Sequence, residues 1–343
     1  MIGVDTHRDT LAAAVTDQVG GTLAQSSAAA DLTGYQQLLE FAQAQVPGQR
    51  CWAVEGAGSY GAGLTAFLQA RGEWVVEIGR PKRPPRRSGA KSDALDAVRA
   101  AREALALDHP LAPRRRGDRE ALRVLLATRH SACAAKVSAT NQLKALIVGA
   151  PEELRTELRG LRTKRQVTRC ARLRDRPRRS LEHRMTVRAL RSTARRIQLL
   201  AAEAAELRTE LERLVAAVAP WLLELPGVGP ISAAQVLVSW SHAGRLRSDA
   251  AFAALAGANP IPASSGQVIR HRLNRGGDRQ LNRALHTIVL ARLRDDPQTR
   301  AYAARRRGEG KSIGEVRRCL KRAVARQLFK LLERYSRAGG EVM

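Results

Sequence analysis

Four acidic residues stand where a divalent cation could be held: Asp5, Glu55, Asp93 and Asp96. Asp93 and Asp96 lie three apart in Lys91-Ser92-Asp93-Ala94-Leu95-Asp96-Ala97-Val98-Arg99, a spacing that puts both on one face of a helix. Asp5 closes the short apolar run Ile2-Gly3-Val4, and Glu55 closes Cys51-Trp52-Ala53-Val54. Carboxylates that converge repel one another, and they stay ionised together only with cations among them. Oxygen ligands suit Mg²⁺ or Mn²⁺, and two such ions orient the attacking and leaving oxygens of a phosphodiester. Alone, an Asp pair in a first turn also fits a solvated helix start, where the dipole favours acids. The basic, proline-broken stretch before it, Arg80-Pro81-Lys82-Arg83-Pro84-Pro85-Arg86-Arg87, points instead to a polyanion nearby.

The elements that must position these acids can be read from periodicity. Ile2 to Asp5, Leu11 to Thr16 and Thr22 to Ala28 are strands, the last two joined by a turn at Gly20-Gly21. Leu32 to Val46 has helical spacing and stops at Pro47-Gly48. Then follow the strand of Glu55, a helix over Leu64 to Ala70, the strand Trp74 to Ile78, and the helix of Asp93 and Asp96. The order β-β-β-α-β-α-β-α predicts a mixed sheet covered by helices. In such a sheet the strands of Asp5 and Glu55 lie side by side, with the last helix at their ends. The first strand is short, which predicts few ladder bonds around Asp5 and points to a natural start upstream of Met1 or a trimmed copy.

Beyond this, Gly117 to Ala150 reads as one long helix. Arg155 to Arg179 reads as an Arg-rich connector, solvated or lying on nucleic acid. Met185 to Val218 repeats Leu190, Ala194, Ile197, Ala201, Ala204, Leu207, Leu211 and Leu214 in nearly heptad spacing, which fits a helical hairpin, a coiled coil or an interface between subunits. Short helices and loops follow Pro220, ending in a basic helix over Val316 to Tyr335. The expected division is 1–105 for the acid-bearing domain, 106–219 for a helical connector and 220–343 for a helical C-terminal domain.

The chain of 343 residues carries a net charge of +27. That excess argues for DNA or RNA, with phosphate neutralisation supplying most of the affinity. Aromatic residues are only 3%, which disfavours a base-stacking reader of single strands. Four scattered cysteines, Cys51, Cys133, Cys170 and Cys319, make no zinc spacing and fit free thiols in a reducing compartment. With neither a signal peptide nor a membrane span in evidence, a cytoplasmic, nucleoid-associated protein without a membrane partner is expected.

Two C-terminal stretches carry further chemistry. In Leu225-Pro226-Gly227-Val228-Gly229-Pro230, a tight turn at Gly227 and Gly229 can offer backbone N–H groups to a phosphate, as in helix-hairpin-helix modules, or can be a plain turn into a helix. In Pro262-Ala263-Ser264-Ser265-Gly266 a serine precedes glycine on a loop, most simply a turn. Arg270, Arg272, Arg275 and Arg279 follow it and can hold phosphates, with His271 among them and His7 beside the acids.

The words Gly3-Val4-Asp5-Thr6-His7, Val54-Glu55-Gly56-Ala57-Gly58-Ser59-Tyr60 and Lys91-Ser92-Asp93-Ala94-Leu95-Asp96-Ala97 resemble the DEDD transposases of bacterial insertion sequences, relatives of Piv-type invertases. The resemblance continues through Leu225 to Gly229 and Leu255 to Gly266. It implies an RNase H-like (RuvC-like) α/β domain followed by helical domains, with Asp5, Glu55, Asp93 and Asp96 binding Mg²⁺ (or Mn²⁺). It also implies a recombination nucleophile at Ser265, with Ser264 as the alternative, attacking DNA to leave a phosphoserine. A homo-oligomer with composite sites and a structured noncoding bridge RNA belong to the same implication. A site-specific invertase, a junction nuclease that would not need Ser265, and a decayed copy that only binds nucleic acid are the competing readings.

Overall fold

A computed structural model describes residues 1–79, 92–263 and 271–338. The chain divides into two compact units, Met1–Arg115 with Ser241–Arg247, and Arg116–Trp240 with Ser248–Met343.

The first unit follows the expected order. Strands β1 (Ile2–Thr6), β2 (Thr10–Thr16) and β3 (Thr22–Ala29) are followed by α1 (Leu32–Gln45), β4 (Cys51–Glu55), α2 (Ala62–Gln69), β5 (Trp74–Ile78) and α3 (Asp93–Leu105). The five strands form one sheet in the order β3-β2-β1-β4-β5. β1 is antiparallel to β2 and parallel to β4, which is parallel to β5. This is a mixed α/β sheet of RNase H-like (RuvC-like) topology.

Alternation along the strands sorts the two faces. Ile2, Val4, Leu11, Val15, Trp52 and Val54 join one core with Leu38 and Leu39 of α1 and with Leu64 and Leu68 of α2. Over β1 and β2 the opposite face is made of small residues. Ala12 and Ala14 pack with Ala97 and Val98, and Ala53 packs in a cluster with Ala104. Gly3 is the limiting case, because a Cβ there would lie 2.0 Å from the Ala97 carbonyl oxygen and 2.5 Å from the Ala101 nitrogen. α3 therefore rests directly on the β1 backbone.

β1 is held more firmly than its length suggested. All five residues are buried and all five pair with β2, from Ile2 with Val15 to Thr6 with Leu11. The Met1 amino group adds a bond to the Thr16 carbonyl at 3.1 Å. The expectation of a weakly held Asp5 is corrected: the strand continues one residue past it and is laddered on both edges. A late segment also completes this unit. Arg245, its side chain only 2% exposed, donates to Glu77 at 3.0 Å and to the Ala112 carbonyl at 3.2 Å.

The second unit is largely helical, with α4 (Asp118–Val148), α5 (Glu152–Arg159), α6 (Thr163–Ala171), α7 (Leu181–Val218), α8 (Pro230–Trp240) and α9 (Asp249–Leu255). A two-residue ladder, β6 (Ile261–Pro262) with β7 (His271–Arg272), precedes α10 (Arg279–Asp295), α11 (Pro297–Gly308) and α12 (Ile313–Ala338). α4 and α7 pair along their length, with α5 and α6 against one end. Leu190, Ala194 and Ile197 of the near-heptad stripe are buried there with Leu143, Ile147 and Leu158. That part of the stripe is spent inside the chain and leaves no free seam for a second subunit. The Arg-rich stretch is likewise more than a connector, since Leu154, Leu158 and Cys170 anchor its two short helices in this core. Among the described residues no helix is long and apolar enough to cross a membrane.

The close approach at Gly3 gives a first prediction. Gly3→Ala places a methyl group against backbone that cannot step aside, and should cost about 1–3 kcal/mol of stability. Urea unfolding would measure it, and a change under about 0.5 kcal/mol would refute the packing argument.

Candidate metal centre and nucleic-acid surfaces

Asp5 and Asp93 come together through that same contact. α3 crosses β1 where Gly3 meets Ala97. From there Asp5 is two residues up the strand and Asp93 four residues back along the helix. At about 3.3 Å per strand residue and about 1.5 Å per helix residue, both arms are about 6 Å long. The two carboxylates meet at the end of the crossing. Because α3 starts at Asp93, with Asp93 and Asp96 in its first turn, its positive dipole end also faces the acids.

The residue that joins them is His7. It lies two positions past Asp5, on the same side of the chain as it leaves β1. Its Nε2 sits 3.2 Å from Asp5 Oδ2 and 3.3 Å from Asp93 Oδ1. Neither contact has the alignment of a hydrogen bond, and this buried nitrogen has no hydrogen-bond partner. One ligand atom each from Asp5, His7 and Asp93 fall within 4.8 Å of one another.

The electrostatics are those of a site short of positive charge. Burial raises the Asp5 carboxyl above the ordinary carboxylate range; His7 opposes this, and Asp96 and Asp93 each push it further up. A cation among the three groups would relieve the repulsion and give His7 Nε2 an aligned partner. The two carboxylate oxygens are Mg²⁺ and Mn²⁺ ligands, and the imidazole widens the set toward softer divalent ions. The arrangement is that of a Mg²⁺-dependent nuclease centre.

Of the four acids read from the sequence, the structure gathers two into this group. Asp96 is buried beside it, and its Oδ1 accepts from Arg99 Nη1 at 2.5 Å. Glu55 ends β4, one residue beyond the last register pair of β1 with β4, Val4 with Val54. Its carbonyl accepts from Thr6 Oγ1 at 2.9 Å, which ties the two strand ends together. His7 joins Asp5 and Asp93 in the group, and Asp96 is near enough to act on the Asp5 carboxyl. The signal for His7 was in the sequence, an Asp-x-His at a strand end, but that pair is common without a metal.

In the second unit, Gly227 has a positive φ of 74°, and a Cβ would lie 2.9 Å from the Ile288 carbonyl. Tight packing on α10 thus explains this glycine by itself. The Gly229 N–H faces Ser232 Oγ at 3.1 Å, so the turn uses that donor internally. Gly227 and Gly229 do border a cavity of about 700 Å³ that Arg129, Arg208 and Arg283 also line. Arg272, Arg275 and Arg279 are exposed. Ser264, Ser265, Gly266 and Arg270, like the basic run 80–91, lie outside the described residues.

An RNase H-like sheet carrying two aspartates and a histidine at the end of its first strand defines a class, the metal-dependent nuclease fold. Comparison with known proteins narrows it. Residues 2–150 match a family model described as "Transposase", of the DEDD type of IS110 elements, and residues 219–304 match the "Transposase IS116/IS110/IS902 family". At the family level the chain belongs to the IS110/IS902 DEDD transposases. It is 36% identical over 114 residues to the "Insertion element IS110 uncharacterized 43.6 kDa protein" of Streptomyces coelicolor, covering 33% of this chain and 28% of that one. It is 35% identical over 92 residues to the "Insertion element IS900 uncharacterized 42 kDa protein" of Mycobacterium paratuberculosis, covering 26% of this chain and 23% of that one. The chain thus spans under a third of the length of either relative.

These findings correct the mechanism expected from the sequence. The DEDD match and the assembled Asp5, His7 and Asp93 group indicate an acidic, metal-dependent mechanism of the RuvC and RNase H kind, and not serine attack through a phosphoserine. The physical reason is that a metal centre can activate an ordinary hydroxyl for attack on phosphorus, so no covalent protein intermediate is required.

Metal binding can be read without any reaction. Mn²⁺ should raise the melting temperature, by the equivalent of about 2.7 kcal/mol at a hundredfold excess over its Kd. Asp5→Asn and Asp93→Asn should each weaken binding by about tenfold or more. His7→Ala should narrow the preference for Mn²⁺ over Mg²⁺. Equal Mn²⁺ shifts in the wild type and all three variants would remove the metal assignment.

Proposed function

We propose that this chain cleaves DNA strands in the transposition of an insertion element, at the Asp5, His7 and Asp93 centre. The carrying observation is the buried His7 Nε2, in ion-pair range of two carboxylates but aligned with neither for a hydrogen bond, on an RNase H-like sheet. Asp5 is the fixed ligand, since it is buried in β1 and paired with Ala12 of β2. Asp93 is half exposed on the first turn of α3 and faces the side from which a strand would arrive. Asp96 keeps Arg99 at the margin of the site, where a guanidinium can meet a phosphate. When bound, Mg²⁺ or Mn²⁺ supplies Lewis-acid polarisation of the phosphodiester and compensates the charge of its transition state. Glu55 and Asp96, the other two acids of the DEDD reading, are proposed to complete the ligand sphere on the substrate complex.

The partners follow from charge. A chain at +27 with few aromatic residues binds nucleic acid through phosphates, which supports DNA and, in the bridge-RNA reading, a structured RNA as well. Gly227, Gly229, Arg272, Arg275 and Arg279 are proposed backbone contacts. A homo-oligomer is proposed on the family resemblance alone.

Asp5→Asn or Asp93→Asn should lower Mg²⁺-dependent cleavage of element-end DNA by roughly 10²-fold or more, while DNA binding in EDTA stays within about twofold. Cleavage that persists in both variants would sink the proposal.

A further inference from the structure

The acidic centre has a cationic counterpart in the second unit, and it is built around a buried lysine. Lys321 of α12 is 8% exposed. Its ammonium makes one described hydrogen bond, to Asn282 Oδ1 at 3.0 Å, and has no carboxylate partner among the described residues. The Asn282 amide is itself fixed, its Nδ2 donating to the Ala256 carbonyl at 2.6 Å, so its oxygen must face the lysine. The loop beneath is equally constrained. Gly257 has φ +60°, and a Cβ there would lie 2.5 Å from the Gly276 carbonyl. An ammonium with three donors, held by one neutral amide on a residue only 8% exposed, is a costly arrangement unless something anionic arrives.

The surroundings heighten that cost. Lys321 lines a cleft of about 400 Å³ together with Arg272, Lys311, Arg318, Arg322 and Arg326. The carboxylates in reach are already engaged. Glu315 caps α12, accepting from Ser312 N–H at 2.9 Å and Ser312 Oγ at 2.7 Å. Asp249 is shared by Arg322 at 3.3 Å and Arg326 at 2.9 Å. Six cations against two occupied acids leave a fixed positive field inside a concave site. Burial also lowers the Lys321 ammonium from its ordinary range, and Arg318 adds to that.

We propose that this cleft is a phosphodiester-backbone site, with Lys321 as its innermost phosphate contact and Arg318, Arg322 and Arg326 tracking the strand toward solvent. The ligand class is a nucleic-acid strand. A cleft lined by Arg272 on β7 and by a row of cations at i, i+3, i+4 and i+8 along α12 presents charges over more than two helical turns, which suits a chain of phosphates better than one free phosphate. The inference does not rest on the metal centre, because the cleft needs no metal to bind.

The test uses the full chain in EDTA, so failure of strand cleavage cannot affect it. Binding of labelled DNA and RNA strands of one sequence is followed by fluorescence anisotropy across a salt series. Lys321→Met, close in shape, and Arg318→Gln are compared with Lys330→Met, an exposed cation elsewhere on α12. Lys321→Met should weaken binding about tenfold and lower the salt slope by about one. Arg318→Gln should act in the same direction, and Lys330→Met should change affinity less than about twofold. Without nucleic acid, Lys321→Met should fold and melt no lower than wild type. Loss confined to DNA names DNA as the occupant, loss confined to RNA names RNA, and loss on both leaves the site general. Affinities for both strands unchanged in Lys321→Met and Arg318→Gln, or reduced no more than in Lys330→Met, would overturn the proposal. Should Lys321→Met not fold, Arg318→Gln and an Arg322→Gln, Arg326→Gln double variant decide by the same criterion.

Discussion

The first unit depends on the contact of α3 with β1 at Gly3. Layers of secondary structure are normally held about 10 Å apart, as in stacked sheets, because side chains intervene. Here residue 3 has none, and Ala12, Ala14, Ala97 and Ala101 keep the rest of the interface thin. The helix can then start beside the end of the strand it covers, so two acids remote in sequence share one cation-sized space. A bulkier residue at position 3 would lift α3 and part Asp93 from Asp5 without touching either. Small residues on this sheet face are therefore part of the site, although they bear no chemistry.

The same logic explains why the centre is charged and buried at once. Asp5 is fixed in a laddered strand and cannot turn to solvent. Asp93, at a helix start, keeps one side open. A centre assembled from one immobile and one accessible carboxylate has a defined floor and a reachable top, which in-line chemistry at phosphorus requires. The repulsion felt at Asp5 is a stability cost of a site prepared for a cation.

Much of this was legible in the sequence, and the gaps have physical causes. The strand and helix order of the first unit followed from alternation and turn residues, and the pairing of β1 with β4 followed from the crossover pattern. What periodicity could not give was how close α3 would lie, because that depends on backbone approach at Gly3. That distance decides which donors meet, and so His7 enters the group while Glu55 and Asp96 stay outside it. The heptad-like stripe of α7 was readable as apolar but not as to partner. Leu190, Ala194 and Ile197 would suit a neighbouring subunit as well as they suit α4. The segment Ser241–Arg247 gave no local signal of its place, since Arg245 becomes structural only through Glu77 and Ala112, far away in sequence. The serine mechanism rested on family resemblance, and it yielded to the metal-type group once that was assembled.

The two units carry complementary electrostatic problems. One crowds carboxylates around a histidine that no aligned hydrogen bond satisfies. The other buries an ammonium among guanidinium groups. Each is unfavourable in the free protein, and the ligands that would relieve them are the two halves of one substrate salt: divalent cations for the first, phosphates for the second. Relief by ligand is stronger when the charge is held in low dielectric, where attraction is screened least. Binding nucleic acid with its divalent ions would therefore stabilise both units by more than surface charge alone could, and part of that gain should survive at salt concentrations that remove the exposed arginine contacts. A protein covered evenly with solvated cations would lose all of its affinity together as salt rises. Lys321 and Asp5 are buried charges of the kind that make these two cases different.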